Sequence, residues 1–160
     1  MHFCGMQKLN FPAFAFRFKS RENNPLVFDI VRKKYVRLQP EEWVRQHCLH
    51  YLVQTKGYPA GRIQVEREIR VSGLKKRIDI GVYGPEGEIQ LLVECKAPEV
   101  PITQEVFDQI ARYNLTLGAP LLMVTNGLAH FYCRMDFGNK TYQYLRELPD
   151  SKAFNQAADR

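Results

Sequence analysis

The segment Ile89-Gln90-Leu91-Leu92-Val93 constrains the fold more than any other. Side chains alternate across a β-strand. Apolar residues at consecutive positions therefore face both sides of a sheet, and such a strand belongs in its interior, covered on both faces. The run breaks off in Glu94-Cys95-Lys96, and Ala97-Pro98 then ends the strand, which is predicted over 89–96. Two charged residues thus stand at the end of a buried strand, where a charge needs a partner or a metal ion.

Neighbouring segments supply the rest of the sheet and its cover. Residues 62–71 alternate, with Ile63, Val65, Ile69 and Val71 apolar. Ser72-Gly73 is a turn, 76–83 a second strand, and Gly84-Pro85-Glu86-Gly87 a hairpin turn. Ahead of them Pro40 opens a helix, and Glu41 and Glu42 suit its positive end. Val44, Cys48, Tyr51 and Leu52 form its apolar stripe, Trp43 lies beside it, and Lys56-Gly57 ends it. A second helix is predicted over 103–117, with Thr103 as N-cap and Gly118 as stop. Residues 120–125 form another buried strand, Asn126-Gly127 a tight turn, and 128–135 and 141–148 extend the sheet.

The core order αβββαβ specifies a mixed α+β, or α/β, fold with a central mixed sheet flanked by helices. A chain of 160 residues holds one such domain with short arms. We read residues 1–38 as an N-terminal β arm, 39–148 as the domain and 149–160 as a flexible polar tail. In the arm, 13–19 alternates Phe14, Phe16 and Phe18 with other residues and reads as a strand. Residues 20–25 form a turn, and 26–38 is β-rich and carries Arg32-Lys33-Lys34.

Charge divides along the chain. Residues 1–80 hold 16 Lys/Arg against 7 Asp/Glu, and residues 81–160 hold 7 against 10, giving the net +6. The basic half is the candidate polyanion face. Cys4, Cys48, Cys95 and Cys133 are too widely spaced for a CxxC site or a small secreted framework. They read as reduced, mostly buried thiols of a cytoplasmic protein. Lys8, Pro12, Arg17 and Lys19 interrupt the apolar start, so no signal peptide is expected. A membrane helix needs about 20 apolar residues, and no such run exists, so no membrane partner is expected. No GxxxxGK[ST] loop occurs, which leaves the chain without an ATP site or motor. His47-x-x-His50 has ligand-like spacing but no completing set, and reads as packing or surface.

The chemistry gathers around Arg77-Ile78-Asp79-Ile80 and Val93-Glu94-Cys95-Lys96. Glu94 and Lys96 share one face of their strand, and Cys95 takes the other. Asp79, pointing opposite to Ile78 and Ile80, can be brought beside Glu94 by hairpin pairing. Asp79 and Glu94 would then hold Mg²⁺, a hard ion that takes carboxylate oxygens and keeps several waters. The metal would polarise a phosphate oxygen and lower the pKa of a bound water. Lys96 would orient that water or stabilise developing charge. A Glu-x-Lys pair alone is common on solvated strands. Its place after Leu91-Leu92-Val93 is what singles it out.

Together these features resemble the PD-(D/E)XK nuclease superfamily, and more narrowly the N-terminal domain of type I restriction enzyme R subunits. The resemblance rests on Pro40-Glu41-Glu42-Trp43-Val44-Arg45-Gln46, the two segments above with Ala97-Pro98, Gln109-Ile110-Ala111-Arg112-Tyr113, and Val124-Thr125-Asn126-Gly127. One departure is Ile78, which stands where the superfamily often has proline. The resemblance implies a restriction-endonuclease-like core and a Mg²⁺-dependent deoxyribonuclease, with Mn²⁺ as a substitute, of restriction, defence or repair type. Asp79 and Glu94 would be metal carboxylates and Lys96 the catalytic lysine. A glutamate of the first helix would join them: Glu42 is the choice, with Glu41 the near alternative. Gln109 and Tyr113 match a QxxxY element beside the site, and Arg45 would bind nucleic acid or support the site.

Lys75, Lys76 and Arg77 flank Asp79 and are candidates for phosphate contact. DNA is the expected partner, with RNA open, and a homodimer or larger restriction or repair assembly is a further expectation. The competing expectation is a catalytically silent nucleic-acid-binding or protein-interaction module on the same fold. Geometry separates them first. The Asp79 and Glu94 carboxylates must lie close enough to share one ion.

Overall fold

The computed structural model describes residues 6–158, so Cys4 lies outside the described residues. The order is β1 (Phe18–Arg21), β2 (Asn24–Asp29), β3 (Lys34–Arg37), α1 (Pro40–His50), β4 (Ile63–Val71), β5 (Leu74–Tyr83), β6 (Ile89–Cys95), α2 (Gln104–Leu117), β7 (Leu121–Thr125), β8 (His130–Asp136), β9 (Thr141–Leu145) and α3 (Ser151–Ala158). Strands β1–β3 form a small antiparallel sheet, and β4–β9 form a six-stranded sheet in sequence order. Among the described residues only β6 and β7 pair in parallel, because only α2 crosses over between neighbouring strands. The fold is therefore mixed α+β with the expected αβββαβ core.

The central position of β6 follows from its composition. Leu91, Val93 and Cys95 pack on one face with Val44, Cys48 and Leu49 of α1. Leu92 packs on the other face with Phe107 and Ala111 of α2. Helix α2 begins at the expected cap, where Thr103 Oγ1 accepts the Val106 N–H at 3.2 Å. It ends at Gly118, whose φ of 88° is easily reached only without a Cβ. Helix α1 passes into a π-helical turn, Tyr51–Thr55.

Three expectations change. The strand predicted over 13–19 begins only at Phe18. The preceding residues are an extended strap across α1, with the Phe16 ring within 4.6–4.8 Å of the Trp43, His47 and His50 rings. An aromatic residue at every second position suits a strap as well as a strand. The segment 149–160, read as a loose tail, contains α3, anchored by Phe154 on the core and by the Ser151 N–H to Lys56 O bond. Finally, Ile78 and Ile80 do not share a face. Ile80 joins the α1 core and Ile78 the α2 core.

That last change has a local cause. Val65 pairs with Ile80 and Arg67 with Ile78, so Glu66 stands opposite Asp79 in unbroken register, and its φ of 53° interrupts the ladder there. A left-handed residue inside a strand breaks the regular alternation of side chains at that point. It lies beside the charged end of β6.

Candidate functional site

Asp79 lies where β5 leaves β6, since the β5–β6 pairing starts only at Ile80 and Val93. Its Oδ2 accepts the Cys95 backbone N–H at 2.8 Å, and its Oδ1 accepts Arg45 Nη2 at 3.1 Å. Its carboxylate also accepts a hydrogen bond from the Glu94 carboxyl. Burial, the Asp79 charge and that hydrogen bond push the Glu94 carboxyl up to about 9. The two carboxyl groups are therefore neighbours in the site.

Glu94 and Lys96 face the same way, into a cleft of about 240 Å³ that Lys76, Arg77, Gln109 and Tyr113 also line. Gln109 and Tyr113 are four apart on α2 and so present one helix face. Lys76 Nζ sits 4.3 Å from the Tyr113 ring centroid, a cation–π contact. Tyr113 Oη is buried with no hydrogen-bond partner among the described residues, while burial and the Glu94 charge raise its pKa. Cys95, as expected, turns away and lies 3.8 Å from the Cys48 sulfur in the core.

The helix glutamates divide differently from the expectation. Glu42 does not face the cleft. Its carboxylate accepts from Arg32 Nη2 at 2.6 Å, from Gln46 Nε2 at 3.0 Å and from Arg45 Nη1. Glu41, half exposed, is the one raised by burial and then by the Asp79 charge, with Arg45 and Lys96 pulling the other way. Successive helical residues point about 100° apart, so only one of the pair can meet the β5–β6 end. Here that one is Glu41.

Arg45 is buried and cannot touch a nucleic acid. It supports the site instead. Burial disfavours its charge, but Glu42 and Asp79 more than offset this and hold it charged. A second layer, unseen in the sequence reading, completes the network. Glu66 meets Arg45 at 3.4 Å and Arg32 at 3.3 Å. Arg32 also binds Asp29, which burial raises but the Arg32 backbone N–H, Gln46 and the Arg32 guanidinium bring below its ordinary value. In the sequence only its place in the Arg32-Lys33-Lys34 cluster marks Arg32.

Two neighbouring carboxylates at the mouth of a cleft are a donor set for one hard divalent cation, which keeps most of its waters when held by one or two carboxylates. Each Asp79 oxygen has lone pairs beyond the one engaged by Arg45 or Cys95. Among the described residues, no group of three or more His, Cys, Asp and Glu side chains is arranged around a common metal position. His47 and His50 pack against the aromatic strap, as expected.

Among the described residues no helix is long and apolar enough to cross a membrane. A search of the curated proteins gives no match. Among solved structures the chain is similar to a fragment described as an HsdR subunit of a type I restriction enzyme from Vibrio vulnificus YJ016. The identity is 21%, the TM-score 0.48, and the match covers 66% of this chain and 22% of that one. The family model described as type I restriction enzyme R protein N terminus (HSDR_N) matches residues 40–149, more than half of the sequence and the whole span from α1 to β9. The chain belongs to that family.

Proposed function

We propose that this chain is a PD-(D/E)XK-type nuclease domain that hydrolyses phosphodiester bonds in DNA, in a restriction or related defence system. The observation that carries the reading is the Glu94–Asp79 contact beside Lys96, on one cleft with a partnerless Tyr113 hydroxyl. Asp79 and Glu94 would hold Mg²⁺ or Mn²⁺, with Glu41 rather than Glu42 as the helix glutamate nearby. When bound, the ion supplies charge neutralisation at the phosphate and a water of lowered pKa.

The protein's own groups do the rest. The Cys95 N–H and Arg45 fix the Asp79 carboxylate in one orientation, so it needs little reorganisation. Lys96 shares the cleft with Glu94 and is placed to orient the attacking water and to donate to a nonbridging oxygen as negative charge develops. Lys76 and Arg77 at the cleft wall attract the same phosphate.

Plasmid nicking in Mg²⁺ and in Mn²⁺ tests this, with wild type compared to Asp79→Ala, Glu94→Ala and Lys96→Ala. Loss in all three variants is the expected result, and equal activity in all four proteins sinks the site. A silent DNA-binding module is the second reading. Arg45 already engages Asp79, which gives that reading its specific support. Salt-sensitive DNA binding by a folded protein that never cuts would select it.

A further inference from the structure

Past the end of β6, β4 and β5 continue as a two-stranded ribbon, one face of which is held by Ile69 and Ile78 on the α2 core. Their pairing runs out to Val71 and Leu74, whereas β6 pairs with β5 only from Ile80 onward. Residues 74–79 therefore project past the end of β6, about 20 Å at the rise of an extended strand. Ser72 and Gly73 close the tip with φ of 52° and 78°, the two positive values of a tight type I′ hairpin. Leu74, next to the turn, is 68% exposed, the largest value for any big apolar side chain described.

The ribbon is basic. Arg67, Arg70, Lys75, Lys76 and Arg77 stand on it against Glu66 and Glu68. Glu66 is turned inward to Arg32 and Arg45, which leaves Glu68, beside Lys75 at 3.6 Å, as the outward acid. Lys76 and Arg77 also line the Glu94–Lys96 cleft, so the basic surface runs without a break from the tip to the site.

We infer that this ribbon enters a groove of double-stranded DNA, its basic side chains on the flanking phosphates and Leu74 as an apolar wedge against the base steps. The inference rests on the DNA reading above and assigns the element that engages the duplex. Two-stranded ribbons bind duplex DNA in either groove, and one that carries an apolar wedge enters the minor groove. Inserted leucines are a known means of unstacking a base step and bending the duplex. A single strand would instead call for exposed aromatic platforms. Residues 66–79 contain no aromatic residue, and the neighbouring Tyr83 and Tyr113 rings are covered by Arg67 and Lys76.

The test is fluorescence anisotropy without divalent metal, using a short labelled DNA duplex, its single strand and an RNA duplex of the same sequence. Wild type should bind the DNA duplex best. Leu74→Ser should weaken duplex binding about tenfold with an unchanged salt slope, because a wedge carries no charge. The pair Arg70→Gln/Lys75→Gln should flatten the salt slope by about 1 to 2, roughly one per lost phosphate contact. These residues are exposed, and unchanged melting temperatures will show that the fold survives. A single strand or RNA duplex bound as tightly as the DNA duplex overturns the inference. So does wild-type duplex affinity in Leu74→Ser, or no binding at all. Cleavage is scored separately: duplex binding by this pattern without cleavage leaves the ribbon standing and removes the nuclease reading.

Discussion

Glu94 donates a hydrogen bond to Asp79 across the end of the β5–β6 pair, and at neutral pH it can do so only by keeping its proton. Burial and the Asp79 charge push Glu94 from an ordinary 4.5 to about 9. Between those values the folded chain holds a proton that the unfolded chain has released, so Glu94 lowers stability as pH rises through that window. We expect Glu94→Gln to raise the melting temperature at pH 7 and to flatten its decline toward pH 9, while abolishing cleavage. Thermal melts from pH 5 to 9 check this. A Glu94→Gln protein less stable than wild type at pH 7 would refute the shared proton. For the same reason, metal binding near neutral pH should release about one proton and tighten as pH rises, which calorimetry in two buffers reads directly.

Arg45 is the second constraint on Asp79. Its removal leaves Glu42 and Asp79 facing each other with their common partner gone. Breaking one side of a buried ion pair costs about 3–5 kcal/mol. Arg45→Met should therefore lose about that much in urea unfolding. Arg45→Lys should recover little, because an ammonium cannot span Glu42, Glu66 and Asp79 as a guanidinium fork does. A cost near zero for Arg45→Met would show that the network adds nothing to the fold.

What could be read in advance follows from range. The period of two along β6 and its buried run are local, and they were enough to put Glu94 and Lys96 on one face with Cys95 on the other. The cap at Thr103 and the stop at Gly118 are equally local. The left-handed backbone at Glu66, opposite Asp79, belongs to the paired strands, and no pattern in 62–71 announces it. It is also what separates Ile78 from Ile80 and turns Glu66 toward Arg45. The phase of α1 is set by the packing of its apolar stripe, so Glu41 and Glu42 were indistinguishable until that stripe was seated. Helix α3 was hidden because Phe154 stands among polar neighbours, and its apolar contact is made with a distant part of the chain.

The two helix glutamates offer a clean contrast. Glu42 is nearly buried and bound to two guanidinium groups, whereas Glu41 is half exposed and faces Asp79 and Lys96. Glu42→Gln should cost about 2 kcal/mol in urea unfolding, since its partners keep their charge but lose their counter-charge. Glu41→Gln should leave stability within about 0.5 kcal/mol and reduce nicking instead. Parallel unfolding and nicking assays measure both. The reverse pattern would return Glu42 to the site.

The N-terminal strap predicts a separate acid sensitivity. His47 lies between the Phe16 and Trp43 rings and donates from Nδ1 to the Trp43 carbonyl at 2.8 Å. Burial lowers it from an ordinary 6.5 to about 4, with the Trp43 carbonyl opposing and the neighbouring His50 adding to the shift. The folded chain thus resists a proton that the unfolded chain accepts below pH 6.5. Stability is complete above that value and falls as pH drops toward 4. The difference of about 2.5 units corresponds to about 3 kcal/mol. Urea midpoints measured from pH 7 to 4 should fall accordingly in wild type, and less steeply in His47→Phe, which keeps the ring and removes the titration. Part of the slope must remain in that variant, because burial also lowers His50 and His130. A wild-type slope in His47→Phe would place the acid sensitivity elsewhere.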